Sequence, residues 1–238
     1  MVSEERRPSG GVPGTERISA FSDGVFAIAI TLLVLSIGVP TDTHGLPEEL
    51  LDAWPKYLSY ALSFIVIGII WAQHHAIFAL IKRTDHVFLL INVLFLMWVA
   101  FLPFPTQILG QNLGKHNEQA AMSFYAAVFV LGTLPFNLLW RYAAHGRRLL
   151  ADDAAPHLVR VTSRSYAIGP LLYLIDFALS FVSSRISLAF FILLAVFYAV
   201  APIPAIGGSR VLRPFTGLGD TTAAPVPAEK TEDRRAHR

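Results

Sequence analysis

The chain has 238 residues, of which 54% are hydrophobic and only 15% are charged, and its mean hydropathy is +0.52. Soluble domains carry about 25% charged residues, so this composition favours a protein with several membrane-spanning helices. The net charge of +2 is spread along the chain, which predicts no nucleic-acid partner, and the absence of cysteine excludes disulfides and thiolate metal ligands.

Six apolar segments follow one another along the chain. They cover approximately residues 18–39, 57–81, 86–109, 119–142, 163–183 and 186–206. Each is close to the ~20 residues that cross the hydrocarbon core of a bilayer. Pro103 and Pro105 end the third segment, and Gly169-Pro170 predicts a kink in the fifth. The predicted fold is an all-α bundle of six transmembrane helices, with short connections except for the polar stretch 143–162.

The composition of the chain changes at both ends of the apolar region. Residues 1–16 are polar and rich in proline and glycine, and residues 209–238 are rich in proline, alanine, threonine and charge. Such segments bury too little apolar surface to fold alone. We therefore expect a cytoplasmic N-terminal segment over 1–16, a six-helix transmembrane domain over 17–208 and a disordered cytoplasmic tail over 209–238.

The orientation follows from the placement of lysine and arginine. If both termini lie on one side, every one of the 19 Lys and Arg residues falls on that side except Lys56, Lys115 and Arg185. Loops rich in Lys and Arg remain in the cytoplasm. The sequence predicts a multi-pass protein of the cell membrane, with both termini cytoplasmic and the lipid bilayer as a partner.

The first segment carries an apolar stripe at helical spacing. Its members are Ile28, Thr31, Leu32 and Leu35, at positions i, i+3, i+4 and i+7. Residues at this spacing share one face of a helix. The spacing fits two interpretations: a packing seam against another helix, or a pore wall in which branched side chains narrow the path.

Polar residues precede this stripe at the start of the helix, where charge is expensive unless it is paired or reaches water. Asp23 complements the positive end of the helix dipole, with Ser22 or Ser19 as a cap, or it bridges to a neighbouring helix or subunit. Pairing with Arg17 along the same helix is poor, because six residues place the two side chains about 240° apart.

The second segment contains Trp71, His74 and His75. Adjacent histidines on a helix point about 100° apart, which is unsuitable for chelating one metal ion. One histidine bonding across helices, with Trp71 packed nearby, is favoured over a metal site or a proton relay. No resident metal and no cofactor are expected.

Three further polar residues lie inside apolar segments. Asp176 and Asn137 are candidates for function, since polar groups are rare within membrane helices. Asp176 has Arg185 or another donor in the bundle as its potential partner, and the sequence does not decide between them. Thr31 is expected to bond the backbone carbonyl four residues earlier, that of Ala27.

The chain also contains motifs that resemble those of the transmembrane protein 175 family, found in bacteria and in animal lysosomes. The first is Arg17-x-x-x-Phe21-Ser22-Asp23-Gly24-Val-Phe-Ala-Ile28. The second segment adds Trp71-x-x-His74-His75, and the third adds Asn92 and Phe101-Leu-Pro-Phe-Pro-Thr106. The resemblance covers essentially the whole membrane region and neither tail.

This resemblance implies a potassium-permeable leak channel without the usual carbonyl filter loop, assembled as a homotetramer around the first helix of each subunit, with potassium as the permeant ion. Pore constriction and selectivity are implied for Ile28, Thr31, Leu32 and Leu35. Anchoring of the pore helix and subunit contacts are implied for Arg17, Phe21, Ser22 and Asp23. A supporting network is implied for Trp71, His74, His75 and Asn92.

Two other functions are compatible with the residues alone. A proton-coupled secondary transporter would use Asp23, Asp176 and a histidine. A non-conducting structural protein would use the stripe and the histidines only for packing. An enzyme is not expected, because the sequence has no nucleophile elbow, no phosphate-binding glycine loop and no paired loop carboxylates.

Overall fold

The computed structural model describes residues 13–39 and 45–200, all within one compact unit. Helices joined by turns and short connections make up this part of the chain, and an isolated antiparallel bridge joins Ile81 to Leu150. Its α-helices are α1 (Pro13–Leu32), α2 (Leu46–Asp52), α3 (Trp54–Leu80), α4 (His86–Phe101), α5 (Pro103–Asn112), α6 (Glu118–Ala144), α7 (Pro156–Val182) and α8 (Ser184–Val200). The predicted tail 209–238 and most of the predicted segment 1–16 lie outside the described residues.

Five stretches of the described chain are long and apolar enough to cross a membrane. They are Gly14–Ser36, Trp54–Leu80, His86–Asn112, Glu118–Arg147 and Pro156–Val182. The sixth apolar helix, Ser184–Val200, has 17 residues, and the rest of its predicted segment lies outside the described range. The all-α membrane class is confirmed, with five candidate spans among the residues described.

Several boundaries differ from the hydropathy prediction. The third span is divided at Leu102, where Pro103 begins α5 as a new helix. The fifth span begins at Pro156 rather than near 163, because its first two turns are helical but basic and therefore not apolar. It continues through Pro170 as one helix. Hydropathy finds the apolar part of a helix, not its polar end.

Two clusters of buried side chains hold the helices together. The first joins α1, α3, α4, α6 and α8, and includes Phe26, Phe95, Tyr125, Phe129 and Phe191. Its aromatic rings meet in tilted and edge-to-face pairs, the geometry that aromatic quadrupoles favour. α1 is therefore fixed to the bundle along one side.

The second cluster lies where α3, α4, α6 and α7 meet. It includes Ile77, Phe88, Trp140 and Tyr166. The Trp140 indole N–H donates to the Ser163 hydroxyl at 2.9 Å, which joins the end of α6 to the second turn of α7. This contact fixes the level at which the two helices meet.

The connection between α6 and α7 folds back onto the end of α3. The backbone N–H groups of Lys82 and Arg83 donate to the carbonyl of Leu149, and that of Ala151 donates to the carbonyl of Leu80. The Arg83 guanidinium lies 3.1 Å from both carboxylate oxygens of Asp152. Main-chain and charged contacts thus order this connection together with the buried side chains of Leu149 and Leu150, which belong to the second cluster.

Asp85 caps α4 just outside the third span. Its carboxylate accepts from the Phe88 backbone N–H and from the Tyr142 hydroxyl, each at 2.8 Å, and lies 3.3 Å from the Arg148 guanidinium. The hydrogen bond from Phe88 lowers the pKa of Asp85 below its ordinary value, and Tyr142 and Arg148 act in the same direction against the effect of burial. The carboxylate therefore ties α4, α6 and the following connection together while charged.

Candidate functional site

The helix α1 and the short 3-10 turn after it present two opposite faces. One face is buried against the bundle and consists of Ser22, Phe26, Ala29, Leu33 and Ser36. Their spacing of four and three residues is that of one helical stripe. The other face is exposed and carries Phe21, Ile28, Thr31, Leu32 and Leu35.

The exposed face answers one of the questions left by the sequence. Ile28 is 59% exposed and Leu35 is 67% exposed in the isolated chain, whereas Phe26 and Leu33 are inaccessible at 1% and 0%. The stripe is therefore not a packing seam within this bundle, because the seam is the opposite face. A second copy of the chain, lipid or a water-filled path is left to cover it.

A buried polar cluster lies behind this helix. The Asn92 side-chain amide donates to the Ser22 hydroxyl at 3.1 Å, and its carbonyl oxygen lies 3.0 Å from His74 Nε2, which therefore donates. Ser22 donates in turn to the backbone carbonyl of Ile18 at 2.8 Å. All three side chains are at most 1% exposed. The cluster joins α1, α3 and α4 where no water competes for these bonds.

Aromatic rings enclose the histidine of this cluster. The His74 imidazole stacks on Phe95 with centroids 5.4 Å apart and lies 4.4 Å from the ring of Phe78. Phe26 of α1 contacts the same imidazole at 5.5 Å. These rings fix the imidazole plane, so His74 Nε2 is held in line with Asn92.

A second polar contact joins α1 to α3 at the rim of the cluster. The Trp71 indole N–H donates to Asp23 Oδ1 at 2.8 Å. Asp23 thus uses its charge on a neighbouring helix, one of the two possibilities that the sequence left open. Within residues 13–39 and 45–200, the Arg17 side chain has no hydrogen bond or ion pair. Arg17 and Phe21 both face outward.

The two adjacent histidines have different environments. His74 is buried, whereas His75 is exposed and contacts the Trp71 ring at 5.9 Å between centroids. The cluster therefore contains Ser22, His74 and Asn92, with Asp23 and Trp71 beside it and His75 outside it. Sequence spacing places one histidine inward but does not say which one.

Thr31 makes its hydrogen bond to a different carbonyl from the one expected. Its hydroxyl donates to the Ile28 carbonyl at 2.9 Å, three residues earlier rather than four. A threonine hydroxyl in an α-helix reaches the carbonyl either three or four residues back, and Thr133 of α6 also bonds the carbonyl three residues back. The Thr31 side chain remains on the exposed face.

A further buried polar group was not predicted. The Thr106 hydroxyl donates to the Ser63 hydroxyl, which lies 2.9 Å from the Tyr125 hydroxyl, so these side chains link α3, α5 and α6.

Asp176 is fully buried and accepts a hydrogen bond from the Ser187 hydroxyl at 2.9 Å, with no bond to Arg185. Its second carboxylate oxygen, Oδ2, has no partner among the described residues. The sequence singled out Asp176 but not its partner, whereas for Thr106, Ser63 and Tyr125 the hydroxyls inside apolar segments were the only signal.

Within the part of the chain that the structure describes, no group of three or more His, Cys, Asp or Glu side chains is arranged to hold a metal ion. The arrangement instead offers a rigid helix whose outer face is apolar at its centre and polar at its start. A helix with such a face is suited to line a pore or to contact a second subunit in a membrane assembly.

The fold defines an all-α protein with several candidate membrane spans, and comparison with known proteins gives the family. A family model described as the endosomal/lysosomal potassium channel TMEM175 matches residues 17–103. A potassium channel of Chamaesiphon minutus is 48% identical over 190 residues, covering 78% of this chain and 94% of its own. A potassium channel of Streptomyces collinus is 39% identical over 191 residues, covering 79% and 93% respectively.

A solved structure agrees with these relatives. The crystal structure of a lysosomal potassium-selective channel TMEM175 homologue from Chamaesiphon minutus matches with a TM-score of 0.71 and 46% identity, covering 78% of this chain and 96% of that one. This chain therefore belongs to the TMEM175 family of potassium channels. The resemblance read from the sequence motifs is confirmed.

Replacing Asn92 with alanine should destabilise the protein by about 1–2 kcal/mol, because one change removes the bonds to both Ser22 and His74 across three helices. Thermal unfolding in detergent measures the effect. Asn137→Ala is the matched control, since among the described residues the Asn137 amide bonds only the Thr133 carbonyl of its own helix. Equal losses in the two variants would contradict a special role for the cluster.

Proposed function

We propose that this chain forms a homotetrameric, potassium-selective leak channel of the cell membrane, with six helices per subunit, both termini cytoplasmic and α1 of each subunit lining a central pore. The family and the potassium channels among its relatives support this proposal. One structural observation carries it. The face of α1 with Ile28, Leu32 and Leu35 is exposed, while the opposite face is fastened to the subunit's own bundle.

The chemistry of that face suits a constriction. Four copies of Ile28, Leu32 and Leu35 would form stacked apolar rings, which hold water weakly and close by dewetting. A cation must shed part of its hydration shell to pass such a ring, and potassium releases water more readily than sodium. One copy encloses nothing, so a closed symmetric assembly is required.

Thr31 supplies polarity within the same face. Because its hydroxyl proton is directed to the Ile28 carbonyl, the oxygen lone pairs remain for a passing cation. These oxygens would replace some of the water that the ion loses. Selectivity in this proposal rests on narrowness together with a weakly polar ring, rather than on a cage of carbonyl oxygens.

The start of α1 would form the cytoplasmic entrance. Arg17 and Phe21 face outward, and the Arg17 side chain has no polar partner within the described chain, which leaves both side chains for a neighbouring subunit. Asp23 is held by Trp71, which fixes the rotation of the helix just before the constriction. Acidic residues of α2, Glu48 and Asp52, would weakly raise the cation concentration at the opposite mouth.

The transporter alternative is not favoured. It requires Asp23, Asp176 and a histidine in one site, but each of these groups has a different partner: Trp71, Ser187 and, for His74, Asn92. No described contact joins Asp176 to either of the others. The groups are thus distributed over separate helix pairs.

Replacing Leu35 or Ile28 with asparagine should increase the leak current and reduce selectivity for potassium over sodium, because a polar ring stays hydrated and admits both ions. Reversal potentials in planar bilayers, with potassium on one side and sodium on the other, measure the change. Leu193→Asn on α8 is the matched control: Leu193 is 61% exposed, close to the 67% of Leu35, but lies outside the proposed pore. Unchanged reversal potentials in both α1 variants would contradict the pore assignment.

Thr31→Val should lower selectivity severalfold while current persists, because valine keeps the shape of the side chain and removes the oxygen facing the ion. The same bilayer recordings measure it. Thr133→Val is the control, since Thr133 also donates to a carbonyl three residues earlier but lies on α6. If Thr31→Val conducts with unaltered selectivity, the hydroxyl serves only its own helix.

A further inference from the structure

Arginines cluster at the end of the bundle where α6 ends and α7 begins. Three arginines in this region are used inside the fold: Arg83 binds Asp152, Arg148 binds Asp85, and Arg147 donates to the Ala154 carbonyl. Their charge is therefore already balanced or directed to the backbone. They hold the connection between α6 and α7 in place.

Three other arginines at the same end of the bundle are exposed and bind no such partner. The side chains of Arg141, Arg160 and Arg164 have no hydrogen bond or ion pair with any residue in the ranges 13–39 and 45–200. An arginine guanidinium keeps its charge under all ordinary conditions and offers five donors. Unpartnered arginines next to an apolar surface suit an anionic partner.

The geometry of α7 places two of them together. Arg160 and Arg164 are one helical turn apart, and each is two residues from the buried Thr162, which puts both roughly 160° around the helix from it. His157, in the first turn, lies towards the same exposed side. The three side chains form a basic surface on the outside of the helix.

This outer surface changes character along the helix. After Arg164 the same exposed side of α7 carries Ile168, Leu171 and Ile175, which are 53%, 57% and 40% exposed. No charged residue lies between Arg164 and Asp176, and Asp176 points into the bundle. The surface is thus basic for two turns and then apolar for at least two more.

The third unpaired arginine, Arg141, lies at the same end of the bundle. It follows Trp140 in the sequence, and the Trp140 indole bonds Ser163, the residue before Arg164. The carboxylates nearest in sequence to the basic residues of α7 are those of Asp152, which binds Arg83, and of the exposed Asp153. The start of the 27-residue helix α7 adds the positive end of its dipole to this surface.

We propose that this surface binds an anionic phospholipid, with its phosphate and glycerol headgroup at Arg160, Arg164 and Arg141 and an acyl chain along Ile168, Leu171 and Ile175. Guanidinium groups bind phosphate oxygens in a forked geometry, and basic residues at the cytoplasmic boundary attract anionic lipids. The apolar side chains that follow the arginines along α7 favour a lipid as the ligand over a free phosphate ion, because only a lipid has an acyl chain to cover them. The inference concerns the outside of the subunit and goes beyond the proposed channel function.

The test uses the full-length protein purified in detergent and incubated with phosphatidylglycerol or with phosphatidylcholine of identical acyl chains. Native mass spectrometry counts retained lipid, and thermal unfolding gives the stabilisation. The wild type should retain phosphatidylglycerol in preference and gain several degrees in Tm. Arg160→Gln with Arg164→Gln should weaken that retention about tenfold or more. The same two positions changed to lysine should restore part of it.

Arg83→Gln is the matched control, because it removes an exposed arginine from the same end of the bundle but one that already binds Asp152. It should retain lipid as the wild type does. Equal retention by the double glutamine variant would overturn the proposal, as would equal stabilisation by inorganic phosphate alone. A changed oligomeric state with unchanged lipid retention would assign the surface to a second copy of the chain. None of these readouts depends on ion flux, so failure of the channel proposal leaves the test valid.

Discussion

The structure depends most on one side-chain amide, that of Asn92. In an apolar bundle, burying a polar group without a hydrogen-bond partner costs free energy. The Asn92 side-chain N–H donates to Ser22 of α1, and the Asn92 side-chain oxygen accepts from His74 of α3. The bond to Ser22 requires that Ser22 of α1 face α4, and the Asp23–Trp71 contact agrees with that rotation of α1. The cluster therefore acts as a rotational lock, with Phe26 and Leu33 packed below it.

This lock has a consequence for the other side of the helix. Once Ser22, Phe26 and Leu33 face inward, the helical repeat sends Ile28, Thr31 and Leu35 outward. A row of exposed apolar side chains with one hydroxyl has no role inside the subunit. In the proposed tetramer the same row forms the narrow part of the ion path, so a buried polar bond sets the geometry of an apolar constriction.

The membrane helices and the polar residues of the first helix could be predicted from the sequence. Runs of apolar residues mark membrane helices, and the family motifs mark the polar residues that interrupt those runs. The first-helix stripe and the polar residues around it were found in this way. Other features depend on rotation and packing that no short pattern encodes. Which of His74 and His75 turns inward and which group binds Asp176 were decided by neighbouring helices, whereas the carbonyl that Thr31 reaches depends on its own side-chain rotamer. The hydropathy pattern missed the first two turns of α7 because arginines lie on their outer side.

The measurement that tests the central claim most directly is cysteine modification along α1, since the chain has no cysteine of its own. Ile28→Cys, Leu35→Cys, Ala29→Cys and Leu33→Cys channels would each be recorded in bilayers before and after a cationic methanethiosulfonate reagent. The account predicts that current falls at positions 28 and 35 and persists at 29 and 33, which face the bundle. Block at 29 and 33 with none at 28 and 35 would mean that the opposite face of α1, or another helix, lines the path.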